Sequence, residues 1–199
     1  MIKAIMFDWG GVLAENTTEK IIKKISTTFD INQDKLYDIY IKNLPKYELG
    51  ALNSNEFWNI ICDKFNIPLQ KVKKLIAIVP KITPVFKLSK KLKLSGYKVS
   101  ILSTNHEDRI NIIKDNFNLN FFDDILFSKD IGIMKPNKKI YQIAMKRIKC
   151  QPKECIFIDD HIENVNGAKI IGMEAIHFRD IEQLEKELVS FGIFIDKKS

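Results

Sequence analysis

The chain has 199 residues, 45% hydrophobic and 29% charged, a globular balance sufficient for one substantial core or a core with a smaller insertion. No stretch approaches the roughly 18 uninterrupted apolar residues of a membrane span, and Cys62, Cys150 and Cys155, odd in number and without metal-ligand spacing, read as reduced thiols of a cytoplasmic protein. The net charge of +7 comes from scattered lysines without interleaved aromatics, which speaks against a nucleic-acid partner and suits attraction of small anionic substrates.

The apolar run Ile2–Phe7 follows the N-terminus directly, leaving no room for a signal peptide, and reads as a buried strand. It stops at Asp8-Trp9-Gly10-Gly11-Val12-Leu13, a tight turn. Helical periodicity follows for some 65 residues. Lys20–Phe29 carries Ile21, Ile22 and Ile25 on one side, and Asp34–Asn43 carries Leu36, Ile39 and Tyr40. Asn53-Ser54-Asn55-Glu56 is a capping box opening a helix with Phe57, Trp58, Ile61 and Phe65, and Pro68 starts another with Val72, Leu75 and Ile76. Pro84–Ser95 is an amphipathic helix whose lysines form a solvated face.

From there strands and helices alternate. Strands are predicted at Tyr97–Leu102, Asp124–Phe127, Cys155–Ile158 and Glu174–His177. The intervening helices are Asp108–Asn116, Asn137–Ile148 and Ile162–Ile171, with Asp180–Val189 last. This alternation specifies βαβ units and a parallel sheet. The fold class is α/β, a doubly wound parallel core of residues 1–14 and 84–199, with a small helical cap, 15–83, inserted after the first strand. Phe191, Ile193, Phe194 and Ile195 form a final strand or an interface, and monomer and homodimer are both open.

Four segments carry chemistry, each expected at the carboxyl edge of the sheet, where open α/β sheets place ligands. Asp8 ends the first strand. Ser103-Thr104-Asn105 ends the second, with hydroxyls and backbone N–H groups suited to an anion's oxygens, or to capping the next helix. Lys135, ahead of Pro136, stands before a helix N-terminus, where a cation opposes the helix dipole unless a negative ligand lies between them. Asp159-Asp160 ends another strand, with Asn164 one helical turn later. Adjacent carboxylates stay ionised only beside a compensating cation, and Mg²⁺ suits an all-oxygen site.

In this order the segments resemble the four motifs of haloacid dehalogenase-like (HAD) hydrolases of the helical-cap subgroup. Phe7–Leu13 resembles the first motif, Leu102–Asn105 the second, Lys135-Pro136 the third, and Asp159-Asp160 with Asn164–Ala168 the fourth. Ser128–Tyr141 strengthens the match, and Tyr47-Glu48-Leu49-Gly50 resembles the cap of sugar-phosphatase-like members. The resemblance implies a HAD-like Rossmannoid core and a Mg²⁺-dependent phosphatase of a small phosphorylated metabolite. By it, Asp8 forms an aspartyl-phosphate. Asp8, the Gly10 carbonyl and Asp160 hold the metal with Asp159 behind them. Ser103 and Lys135 hold the phosphoryl oxygens, with Gly11, Thr104 and Asn105 completing the phosphate site.

One position departs. Phosphatases of this resemblance carry a second Asp two residues after the nucleophile as acid and base, and this chain has Gly10. Such catalysis contributes roughly 10²–10⁴-fold, so good leaving groups such as sugar 1-phosphates and acyl phosphates are expected to be favoured. His106, Glu15 and Glu48 are the candidates to activate water instead, and specificity is expected around Tyr47–Leu52 and Trp58. Two other readings stand beside the phosphatase: a catalytically weakened member that binds a ligand or partner, and a metal-free dehalogenase in which Asp8 attacks carbon.

Overall fold

A computed structural model describes residues 1–194. Five strands, β1 (Ala4–Phe7), β2 (Lys98–Ser103), β3 (Asp124–Phe127), β4 (Cys155–Asp159) and β5 (Glu174–His177), form one parallel sheet in the order β3-β2-β1-β4-β5. The central β1 is buried on both faces. Ile5 and Phe7 pack into one apolar cluster with Val85, Leu92, Ile110 and Leu184. Ala4 and Met6 pack into a second with Ile140, Tyr141 and Val165. That is why the strand reads as a continuous apolar run rather than an alternating one.

The helices are α1 (Thr18–Phe29), α2 (Gln33–Glu48), α3 (Ser54–Phe65), α4 (Leu69–Ile76), α5 (Pro84–Leu94), α6 (Glu107–Asn116), α7 (Ser128–Ile131), α8 (Lys138–Ile148), α9 (Ile162–Ile170) and α10 (Ile181–Ser190). Helices α1–α4 share their own apolar cluster, in which Ile25, Leu36, Tyr40, Phe57, Trp58, Ile61 and Val72 are buried. The chain enters and leaves this block on two antiparallel segments joined by Thr83 N–H to Leu13 O and Glu15 N–H to Lys81 O, 2.9 Å each. Asn53 and Glu56 form the reciprocal capping box that their spacing predicts. Among the described residues no helix is long and apolar enough to cross a membrane.

Three details differ from expectation. Helix α2 continues past Asn43 to Glu48 with Pro45 inside it, because buried Tyr47 anchors its last turn and outweighs the backbone donor lost at the proline. The short α7, immediately after β3, has no counterpart in the periodicity. At the C-terminus Phe191 and Gly192 make a turn and Ile193 packs into the core, its N–H on Leu188 O at 3.0 Å. No strand forms there among the described residues, and Ile195 lies outside them.

Candidate active site

Because β1 lies between β2 and β4, their carboxyl ends form the crevice of the sheet. Asp8 is the first residue beyond β1, its N–H held by Ile158 O at 2.9 Å. One side-chain oxygen accepts from Ser103 Oγ at 2.6 Å and lies 2.8 Å from Lys135 Nζ. Lys135 also reaches Asp159 Oδ2 at 2.5 Å, and its side chain is 2% exposed, so it bridges two carboxylates out of water. This corrects one inference from the sequence: the negative groups that hold Lys135 ahead of α8 include the protein's own Asp8 and Asp159. Helix α8 itself starts later, capped by Asn137 Oδ1 accepting from Lys139 N–H.

Asp159 is fully buried and saturated. Beyond Lys135 it accepts from His161 N–H at 2.8 Å and from Asn164 Nδ2 at 3.0 and 3.1 Å. Asn164, read from spacing as following Asp160, serves Asp159 instead. Asp160 differs from both: its Oδ1 is buried with no hydrogen-bond partner. Asp8, Asp159 and Asp160 each present an oxygen within 4.8 Å of the others. Burial pushes the Asp8 carboxyl up to about 6, with Asp159 adding to the rise while Lys135 and Ser103 oppose it. Burial also raises Asp160, helped by Asp159. Burial alone would lower Lys135, but Asp8 and Asp159 outweigh it and hold the ammonium above its ordinary value.

Gly11 has φ +82°, and a Cβ there would lie 2.1 Å from Asp160 Oδ2, so this glycine makes room for the Asp160 carboxylate. Its N–H is committed to Ala14 O at 2.7 Å, and it does not line the cavity. The turn thus occupies the backbone donor through which Gly11 was expected to bind phosphate. Thr104 and Asn105 do line the cavity. Thr104 Oγ1 accepts from Lys135 N–H at 3.3 Å, and Asn105 Nδ2 donates to Ser103 Oγ at 2.9 Å.

Above Asp8 opens a cavity of about 540 Å³. Its far wall is one face of α2, Tyr37, Tyr40, Ile41, Leu44 and Glu48, at the i, i+3, i+4, i+7, i+11 spacing of a helical stripe. Specificity was expected around Tyr47 and Trp58, but neither faces this cavity. Both are buried and bond Asp108 Oδ2, Tyr47 Oη at 2.7 Å and Trp58 Nε1 at 2.8 Å. Ser54 Oγ reaches the other oxygen at 2.6 Å, with Lys73 Nζ 3.4 Å from it. Burial pushes Asp108 up, but the bonds from Ser54, Tyr47 and Trp58, with Lys73, outweigh it and hold the carboxyl below its ordinary range.

The three residues considered for activating water separate clearly. Glu15 lies outside the cavity, paired with Lys20 at 2.5 Å. His106 lines it but is 5% exposed, stacked on Tyr47 at 4.4 Å between ring centroids, with both ring nitrogens unpartnered. Burial and then the Arg109 charge press its pKa down to about 3, so the ring is neutral. Glu48 lines the cavity, and burial pushes its carboxyl up to about 7 against the pull of Arg109 and Lys135. Arg109, on α6, also lines the cavity, and a single Arg in the first turn of a helix reads in sequence as a solvated side chain.

Comparison with known proteins places this arrangement. The model of the haloacid dehalogenase-like hydrolase family matches residues 5–178. The chain is 24% identical over 183 residues to the sesquiterpene phosphatase astK of Aspergillus oryzae, covering 89% of this chain and 90% of that one. It is 28% identical over 180 residues to the pyrophosphatase PpaX of Bacillus velezensis, covering 86% and 80%. Its fold is similar to a HAD family enzyme of Bacteroides thetaiotaomicron solved with magnesium and inorganic phosphate, with TM-score 0.76, 22% identity and 92% and 99% of the two chains covered. The chain belongs to the haloacid dehalogenase-like hydrolase family.

Proposed function

We propose that this hydrolase is a Mg²⁺-dependent phosphatase acting on a small phosphorylated metabolite, with Asp8 forming an aspartyl-phosphate. One observation carries the reading: three clustered carboxylates face a single lysine, and Asp160 Oδ1 is buried without a partner. That imbalance matches a divalent cation, and the all-oxygen donor set suits Mg²⁺. Asp8, the Gly10 carbonyl and Asp160 would hold the ion, with saturated Asp159 behind them orienting Lys135. When bound, it supplies the charge that lets a carboxylate meet a phosphate dianion.

The chain's own groups divide the remaining work. Asp8 attacks phosphorus, and its bond from Ser103 fixes the direction of the attacking oxygen. Lys135, preorganised by Asp159, meets charge building on the phosphoryl oxygens, and Ser103, steadied by Asn105, turns its single proton from Asp8 to them as the phosphoryl group enters. With no carboxyl at Gly10, the leaving group departs without a proton from that position, which favours anomeric and acyl phosphates over simple alkyl esters. Glu48 is the cavity group placed to take a proton from the water that releases phosphate, and its pKa of about 7 suits the task. We also place the protein in the cytoplasm, since all three cysteines are free.

The test is p-nitrophenyl phosphate hydrolysis with Mg²⁺ and with chelator, beside Asp8→Asn. Nitrophenolate needs no proton to leave, so the assay is indifferent to Gly10. Turnover that requires both metal and Asp8 is expected. Halide release without metal would turn the reading to a dehalogenase, and a folded, Mg²⁺-binding protein with no turnover would turn it to a binding protein.

A further inference from the structure

Of the two cations that line the cavity, Lys135 bridges Asp8 and Asp159 and is assigned to the scissile phosphoryl group. Arg109 has no ion pair to any carboxylate among the described residues. Its single hydrogen bond runs from Nη2 to Thr18 Oγ1 at 3.3 Å, leaving most of the guanidinium's five donors free. Adjacent Asp108 does not neutralise it, being directed to Tyr47, Ser54, Trp58 and Lys73. A partly buried guanidinium with its donors unspent is placed to bind an anion.

Gly10 explains why Arg109 is unspent. A Cβ at Gly10 would meet nothing nearer than Arg109 Nη1, at 3.9 Å, so a side chain at this position points toward the guanidinium. A carboxylate there would pair with it. The glycine leaves that charge open to the cavity, two residues from Asp8. The cavity, at about 540 Å³, also has room for a ligand larger than a phosphate group. Of the other titratable groups lining the cavity, His106 is uncharged, Glu48 is raised by burial against the pull of Arg109, and neither Glu48 nor Glu19 forms an ion pair with the guanidinium among the described residues.

We infer that Arg109, left uncompensated by Gly10, forms a second anion subsite, so that the substrate is an organic phosphate carrying a further phosphate or carboxylate beyond the scissile group. This rests on the phosphatase reading above and narrows its substrate class. Tyr37, Ile41 and Leu44, which line the same cavity, would flank the organic part.

The experiment measures inhibition of p-nitrophenyl phosphate turnover by glucose 1-phosphate and by glucose 1,6-bisphosphate, which differ only in the second phosphate. In the wild type the bisphosphate should inhibit about tenfold or more tightly, the size of one charge-assisted contact. Arg109→Ala should shrink that ratio toward one, and so should Gly10→Asp, which keeps Arg109 but gives it a partner. A merely structural Arg109 would weaken both inhibitors together and leave the ratio intact, which overturns the inference. So does a wild-type ratio near one with normal turnover, a result that spares the phosphatase reading. Absence of Mg²⁺-dependent turnover removes that reading and the inference with it.

Discussion

The floor and the walls of the cavity are built on opposite principles. On the floor every charge but one is answered within the protein. Lys135 joins Asp8 to Asp159, Asn164 and the His161 amide complete Asp159, and only the Asp160 oxygen is left over. On the walls the groups are left unanswered among the described residues: Arg109 lacks a carboxylate partner, His106 lacks a hydrogen-bond partner, and Glu48 is half neutral near pH 7. A surface that stabilises a fixed charge distribution gains from being preorganised. A surface that selects among ligands gains from polar groups only the right ligand satisfies.

The sharpest way to break this contrast is to unbalance the floor. Lys135→Met leaves two buried carboxylates facing each other, and loss of one partner from a buried pair costs about 3–5 kcal/mol. Chemical denaturation in chelator should show that loss, and a stability equal to wild type would mean that the floor is not preorganised by this lysine. Asp108→Ala comes next. It orphans Tyr47, Ser54, Trp58 and Lys73, and hydrogen bonds to a charged group are worth about 1.5–3 kcal/mol each, though not additively. A fall of about 3 kcal/mol is expected, with Trp58 emission reporting the loosening.

A third effect, about 2 kcal/mol, concerns pH. An unfolded His106 takes its proton near 6.5 and the folded one only near 3, so between those values the unfolded state binds more protons and His106 erodes stability as pH falls. Glu48 acts oppositely, its folded carboxyl holding a proton up to about 7. His106→Gln should therefore gain about 2 kcal/mol relative to wild type between pH 7 and pH 5, and Glu48→Gln should shift the other way. Parallel curves for wild type and His106→Gln would mean that the ring is not buried neutral. The smallest effect lies away from both surfaces: Asn53→Ala should cost about 1 kcal/mol by removing the α3 cap, without altering turnover.

What the sequence made legible follows the same division. The floor groups end strands buried on both faces, so the apolar runs of β1 and β4 locate Asp8 and Asp159 almost to the residue. The wall depends on features that cancel or span long distances. Pro45 mimics a helix stop and hides the last turn of α2, and with it the stripe ending at Glu48. The partners of Asp108 lie 35 to 61 residues away, at separations no local pattern encodes. Gly11 was recognisable as a turn residue, but its donor's commitment to Ala14 and its clearance for Asp160 required coordinates.

The stretch from Ser103 to Arg109 has a consequence for exchanging parts between relatives. Ser103 touches the nucleophile, Asn105 steadies Ser103, and His106 stacks on Tyr47. Glu107 accepts from the Ser54 amide, Asp108 gathers three of the inserted helices, and Arg109 reaches Thr18. Seven consecutive residues thus carry the floor's alignment and the docking of the helical block on one continuous backbone. The helices at 15–83 are consequently not a portable module. A chimera that takes them from another member without rewriting 106–109 would bring a foreign surface to a seat cut for this one, and drift in the two must be paired.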